Sequence, residues 1–406
     1  MSSAFIKFFS HNYVKLTLKG GIVIVTDKYL IREKNQALVL KTIIENQPIS
    51  RAEISSLLEL NKATVSSITS ELIDNGLISE AGIGKAAATG GRKPIYLTFL
   101  PEAGLVLTLD IGYNYLNGML TFLNGKIVKK QSINCSITAD NVLQNINDIV
   151  DKLTHDAPST THGIVGMAVA IHGIVVNNSI RFTPYSDLTG KSLHKQLTDC
   201  YDFPILFENE ANLTALGEYT FTSTHDNIIS VSIHSGIGAG IIQNGKLQIG
   251  AHGQAGEIGH TILHPNGIAC ACGNHGCLEK YASNKAIYDL YAEHSNLSKV
   301  NSDILTQAIS AKDKFALDLM TEKANELANA LNTLAVLYDP QIIIINSSLY
   351  IKNPQYLSEL EKNIKSTFAK NVTLAISSLG DDATLYGGVA LVINNFLNTP
   401  GIKFSK

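Results

Sequence analysis

The chain's 406 residues are 45% hydrophobic and 17% charged, a balance that excludes a mostly disordered protein and, at roughly 100–200 residues per domain, allows about two to four folding units. Five cysteines are too few for a dense disulfide framework in such a length, which points to a reducing cytoplasm. The net charge of −3 argues against wholesale nucleic-acid binding, but it sums a net +4 over residues 1–100 (12 Lys and Arg, 8 Asp and Glu) and a net −7 over the rest (20 and 27).

Residues 1–30 read as an N-terminal extension without an assigned role. Leu16 to Val25 is too short for a membrane span and is broken by Lys19 and two glycines, and Lys7, Lys15 and Lys19 interrupt any signal-peptide core. A start codon placed too early would account for the stretch.

Helical patterning begins near Leu30. Ala37, Leu38, Leu40, Ile43 and Ile44 recur at helical spacing, and Gln47-Pro48 ends that helix. Ser50-Arg51-Ala52-Glu53 has capping-box spacing and opens a short helix through Leu58. A tight turn at Glu59-Leu60-Asn61 leads to a third helix, Lys62 to Asn75, stopped by Gly76. At 100° per residue Val65, Ile68 and Leu72 share its inner side, while Ala63, Ser66, Ser67 and Ser70 point away, with Asn61 and Lys62 at the leading end. Small and hydroxylic residues there suit close approach to base edges in the major groove.

Leu77-Ile78-Ser79-Glu80, a turn-rich stretch to Gly90-Gly91-Arg92-Lys93-Pro94, and the strand-like Ile95-Tyr96-Leu97 then form a β-hairpin wing with a basic tip. Residues 31–100 are expected to be a winged helix-turn-helix on double-stranded DNA. Its candidate contacts are Arg51, Asn61, Lys62, Ala63, Ser66, Ser67, Ser70, Arg92 and Lys93. A small helical bundle used for dimerisation is the alternative.

Beyond Pro101 apolar strands alternate with helices, an α/β architecture. Strands are expected at 105–111, 117–123, 164–171, 228–233 and 342–345, and helices near 141–154, 210–220, 279–291 and 315–337. Ser235-Gly236-Ile237-Gly238-Ala239-Gly240 reads as a Gly-rich loop, able to bring N–H groups onto a phosphate or simply to turn the chain.

Cys270, Cys272 and Cys277 stand in a Cys-x-Cys-x4-Cys cluster with His260 ten residues upstream. Three thiolates and an imidazole make a closed tetrahedral zinc site of the structural type. On spacing alone His264 and His275 compete for the nitrogen position. Around the cluster lie Glu257, Glu279 and, upstream, Glu208-Asn209-Glu210-Ala211-Asn212 at a strand-to-helix junction. Carboxylates and amides so placed suit a polyhydroxylated ligand.

Together these motifs resemble the ROK family, which groups bacterial sugar kinases with sugar-responsive repressors on an actin/hexokinase-like fold. The likeness runs from Leu30 to the C-terminus and is most specific from Glu257-x-Gly-His260 to Cys277-Leu-Glu279. It implies a two-lobed α/β ROK domain over residues 101–406 with a zinc loop at 260–277. In that domain His260, Cys270, Cys272 and Cys277 would hold a structural Zn2+, and Asn209, Glu210, Glu257, His260 and Glu279 would line a sugar pocket.

The winged helix implies the repressor branch, and Pro48-Ile-Ser-Arg-Ala52, Asn61-Lys-Ala-Thr-Val-Ser-Ser67, Tyr115-Leu-Asn-Gly118, Glu208-Asn-Glu-Ala-Asn212 and His225-Asp-Asn-Ile-Ile229 are similar to its xylose-responsive members in Gram-positive bacteria. That implies D-xylose as effector and a homodimer on operator DNA. Ile171-His172-Gly173 departs from the family, which often has Pro before this Gly.

Kinase chemistry would need ATP, Mg2+ and a carboxylate base. Where the family's kinases carry Asp-x-Gly-Gly-Thr, this chain has Asp110-Ile111-Gly112-Tyr113-Asn114. Where they place the aspartate base it has Glu210, whose extra methylene moves the carboxylate by about 1 Å. After Asp339-Pro340 and the following strand, a glycine pair gives way to Asn346-Ser347-Ser348. The expectation is a regulator with no catalytic residue. A sugar kinase, and a repressor gated by a protein partner, are the alternatives.

Overall fold

The structure, a computed structural model, describes residues 14–18, 21–25, 28–83, 94–112, 114–184, 187–190 and 192–404. The wing tip with Arg92 and Lys93, and Tyr113, lie outside the described residues. Contacts divide the chain into two units, Met1–Leu100 with Leu397–Thr399, and Pro101–Phe396 with Pro400–Lys406. No helix among the described residues is long and apolar enough to cross a membrane.

In the first unit β1 (Val14–Leu18) pairs antiparallel with β2 (Gly21–Val25), and α1 (Lys28–Asn46) follows. After β3 (Ile49–Ser50) comes α2 (Arg51–Leu57), which opens on a reciprocal cap: the Glu53 N–H donates to Ser50 Oγ and the Ser50 N–H to the Glu53 carboxylate. α3 (Lys62–Asp74) is capped by Asn61, whose Oδ1 accepts from the Thr64 N–H at 2.8 Å, and it stops at Gly76, which holds φ = 67°. Val65, Ile68 and Leu72 are buried, as the angular reading requires. The wing strands are β4 (Ile78–Ile83) and β5 (Ile95–Phe99), antiparallel; β3 adds to the far edge of β5, a pairing too short to show in periodicity.

The second unit opens with β6 (Leu105–Ile111), β7 (Leu116–Phe122) and β8 (Ile127–Ile133), then α4 (Val142–Thr154) and β9 (Ile164–Ile171). The small hairpin β10 (Ile174–Val176) and β11 (Ser179–Phe182) follows, then α5 (Leu193–Cys200), β12 (Ile205–Asn209) and α6 (Glu210–Phe221). A second round holds β13 (Ile228–Ile233), β14 (Ile237–Gln243), β15 (Lys246–Leu247), α7 (Glu279–Ala282), α8 (Asn284–Ser295), α9 (Ser302–Ser310) and α10 (Lys314–Tyr338). It closes with β16 (Ile342–Asn346), α11 (Ser348–Lys352), α12 (Leu357–Asn363), β17 (Thr373–Ile376) and α13 (Ala383–Phe396).

Two five-stranded sheets result, ordered β12-β9-β6-β7-β8 and β15-β14-β13-β16-β17. In each, the first strand is central, an antiparallel meander runs to one side and two parallel strands to the other. Helix α6 packs on β13 and β14, α13 packs on β6 and β9, and the two helices pack on each other, so a helical double layer separates the sheets. Gly217 and Gly387 permit that closeness: a Cβ on either would fall within 2.4 Å of a carbonyl on the facing helix.

The supposed Gly-rich loop is a correction. From Ile237 onward it is strand β14, paired with β13 through Gly240. Its glycines let α6 lie directly on the strand, since a Cβ on Gly240 would sit 2.3 Å from the Ala211 carbonyl and 2.4 Å from the Ala215 Cβ. The single helix expected over 279–291 is two, because Ser283 breaks it and caps α8 through the Ala286 N–H.

Candidate functional site

A cavity of about 380 Å3 opens where β9, β12 and β13 end. Asn209, Glu210, Glu257, His260 and Glu279 all line it, so five residues spread over 71 positions meet in one place. The topology explains the meeting. Asn209 ends β12 and caps α6 by accepting from the Asn212 N–H, while its Nδ2 donates to the Gly173 carbonyl at 2.7 Å. Glu210 is the first residue of α6, Glu257 and His260 belong to the turn after β15, and Glu279 opens α7. Gly236 has no Cβ to collide with Glu279, whose Oε2 lies 2.9 Å from where that Cβ would be.

Glu210 is buried, and its Oε1 accepts from Ser232 Oγ at 2.6 Å, Thr214 Oγ1 at 3.0 Å and Thr384 Oγ1 at 3.2 Å. His234 Nε2 stands 3.7 Å away. Burial pushes this carboxyl up, but His234, His172 and the hydroxyls outweigh it and hold Glu210 below the usual glutamate value. Burial dominates at Glu257 and raises it, with Glu279 adding to the rise and His260 opposing.

His172 and His234 were not among the expected pocket residues. They separate this cavity from a larger one of about 770 Å3, lined also by Gly112, Tyr115, Asn284, Lys285 and Ser348. His172 Nε2 lies 2.9 Å from Asp110 Oδ1, and the Tyr115 hydroxyl donates to Asp110 Oδ2 at 3.1 Å. Burial alone would lower His172, but the Asp110 carboxylate, with Glu210 beyond it, raises it to about 9. The Tyr115 ring covers Gly112, where a Cβ would fall 2.2 Å from its Cε1. The sequence signals were the departure at His172 and the position of His234 just before Gly236. Neither revealed that the two residues would line the same two cavities.

His260, Cys270, Cys272 and Cys277 place one ligand atom each within 4.8 Å of the others. Metal bonds of about 2.0–2.3 Å at tetrahedral angles put donors roughly 3.3–3.8 Å apart. Cys272 Sγ to Cys277 Sγ and Cys270 Sγ to His260 Nδ1 are both 3.6 Å. Burial and the two neighbouring thiols push the Cys277 thiol up to about 12. The donor set and its spacing therefore fit a tetrahedral metal ion.

Of the three candidate histidines, His260 is the one grouped with the cysteines among the described residues. His264 turns to Glu326 on α10, 3.2 Å away, and His275 is exposed, its backbone bridging Ala269. Histidine 260 has Nε2 on the other edge of its ring, 3.8 Å from Glu257 Oε2, so the cluster and the cavity share this side chain.

On α3, Lys62, Ala63, Ser66, Ser67 and Ser70 are exposed, and so is the cap Asn61. Arg51, the other expected DNA contact on the helical part, is engaged within the protein. Its Nε donates to Thr69 Oγ1 and its Nη2 to Glu80, both at 3.0 Å, tying α2 to α3 and β4.

Residues 106–395 match the ROK family and residues 32–79 a winged helix-turn-helix DNA-binding family. The chain is 35% identical over 393 residues to the xylose repressor of Bacillus subtilis (strain 168), covering 92% of this chain and 98% of that protein. Among solved structures it is similar to a ROK family transcriptional regulator described as a homolog of the E. coli MLC protein, with a TM-score of 0.78, 26% identity, and 91% and 97% of the two chains covered. It is also similar to a ROK family glucokinase from Streptomyces griseus in complex with glucose and AMPPNP, with a TM-score of 0.65, 25% identity, and coverage of 71% and 99%. The chain therefore belongs to the ROK family, with a winged helix-turn-helix DNA-binding domain ahead of its ROK domain.

Proposed function

We propose that the protein is a cytoplasmic transcriptional repressor of sugar-utilisation genes, bound to operator DNA as a homodimer and released when D-xylose fills the 380 Å3 cavity. The observation that carries this reading is the convergence of Asn209, Glu210, Glu257, His260 and Glu279 on one cavity beside the Cys-His cluster, in a chain that also holds a winged helix. The name and near-complete coverage of the Bacillus subtilis relative support xylose as the sugar.

His260, Cys270, Cys272 and Cys277 would hold a structural zinc ion, which when bound fixes the loop in place. Glu257 and Glu279 then accept from sugar hydroxyls, and His260 meets the sugar through its Nε2 edge. Lys62, Ala63, Ser66, Ser67 and Ser70 face DNA from α3 with Asn61 at its leading end, and Arg92 and Lys93 are further candidate DNA contacts.

No residue acts as a catalyst in this reading. The Oε1 of Glu210 is already held by three hydroxyls, and Tyr115 covers the glycine of the first hairpin turn. Induction requires sugar to bind the DNA-incompetent state more tightly; equal affinity would shift nothing. Purified protein should retard an operator fragment, and millimolar D-xylose should reverse the shift. Failure to retard the fragment, or ADP release on a sugar panel with ATP, would overturn the reading.

A further inference from the structure

His172 has one ring nitrogen committed and one free. Nε2 faces Asp110 and lies 3.1 Å from the Tyr115 hydroxyl, whereas Nδ1 has no partner among the described residues. The side chain is 25% exposed, and it lines the effector cavity together with Asn209 and Glu210. Asp110 lies behind the ring and neutralises it, so a protonated imidazole is stable there and carries an N–H on Nδ1 as well.

The rest of the cavity is rich in acceptors. Glu210, Glu257 and Glu279 are carboxylates, and both amide atoms of Asn209 are engaged within the protein. A sugar hydroxyl that donates to a carboxylate still has lone pairs to satisfy, and a buried polar atom left unpaired is costly. His172 can meet that need, alongside His234, Gln254, His260 and Asn274 on the same lining.

We propose that His172 is a specificity-determining residue of the effector pocket, its Nδ1–H donating to an oxygen of a neutral monosaccharide whose hydroxyls donate to the facing glutamates. This rests on the sugar-responsive reading above. The two ring nitrogens separate a binding role from a structural one. In His172→Asn the amide nitrogen stands in for Nδ1 and the link to Asp110 is lost. In His172→Gln it stands in for Nε2, keeping Asp110 but losing the donor into the cavity.

Titration calorimetry with D-xylose and its monodeoxy analogues, on the zinc-loaded full chain, provides the test. Expected is a loss of affinity of about tenfold or more in His172→Gln and a smaller loss, under about threefold, in His172→Asn. One deoxy analogue should bind wild-type protein more weakly than xylose yet be no weaker than xylose with His172→Gln, which identifies the partner oxygen. The reverse order, with Gln retaining affinity and Asn losing it, assigns His172 a structural role and overturns the proposal while leaving the sugar reading intact. Equal affinities in all three proteins overturn it as well. Absence of binding by wild-type protein to any sugar overturns the reading and the proposal together.

Discussion

The two sheets of the ROK domain share strand order and direction, yet the hairpin turns at their centres do opposite things. Between β6 and β7 the turn is filled from within: Tyr115 folds over Gly112 and hydrogen-bonds Asp110. Between β13 and β14 the turn stays bare at Gly236, and the vacancy admits Glu279 from α7. The crossovers differ too. In the first half α4 alone lies between β8 and β9, whereas between β15 and β16 the chain inserts the Cys-His loop before its helices. Topology sets where strand ends meet; the side chains at two turns and one insertion decide what the cleft can hold.

The sharpest way to break this comparison is to remove the insertion's anchor. Cys272→Ser is expected to lose the metal and, with it, at least about 100-fold in sugar affinity, because Glu257, His260 and Glu279 would no longer be held together. Metal analysis and calorimetry on one preparation check both. Retained induction without metal would show that the second half shapes its pocket without the cluster.

The second largest effect contrasts mid-strand glycines in the two halves. A Cβ on Gly240 of β14 would strike the Ala211 carbonyl at 2.3 Å, backbone that cannot move aside. A Cβ on Gly118 of β7 would meet only the tips of Leu153, Ile149 and Leu109, at 2.8–3.1 Å. Gly240→Ala should therefore cost about 2–4 kcal/mol and Gly118→Ala less than about 1 kcal/mol, read from denaturant melts. Equal costs would mean that α6 can lift from its sheet as easily as side chains repack.

These positions also mark how far the sequence could be read. The head was legible because each element carries a local signal: the Ser50–Glu53 cap, the Gly76 stop and the burial stripe of α3 all lie within a few residues. The Cys-His cluster was legible for the same reason, a compact spacing of rare residues. What failed was long-range. The glycines of β14 looked like a loop because their reason, the approach of α6, comes from another segment of the chain. Short or weakly apolar strands such as β8 and β17 were missed, since pairing rather than periodicity makes them. Nor could composition show that Thr69 and Glu80 hold Arg51.

The polar cluster of the first half should appear in the pH dependence of stability. His172 is held at about 9, above its ordinary 6.5, by Asp110, with Glu210 adding to the pull; the Tyr115 hydroxyl is hydrogen-bonded to it and His234 lines the same cavity. A raised folded value means the contribution is complete below about 6.5 and is lost as pH rises through about 9. The stability advantage of wild-type protein over His172→Gln should shrink across that window by about 1–3 kcal/mol, measured by melts at matched ionic strength. A constant difference from pH 6 to 9.5 would place a neutral imidazole beside Asp110.

The smallest effect tests whether the first turn is filled by shape or by hydrogen bonding. Tyr115→Phe keeps the ring over Gly112 and removes only the hydroxyl on Asp110, which retains His172 as a partner. Because Asp110 is not left unpaired, the cost should be about 0.5–1.5 kcal/mol. Sugar affinity should change less than in His172→Gln, since the hydroxyl belongs to the wall behind the imidazole and does not line the effector cavity. A larger loss of affinity in Tyr115→Phe than in His172→Gln would mean that the hydroxyl, by steering Asp110, sets the orientation of the imidazole. The two turns would then differ in hydrogen bonding more than in the space their side chains occupy.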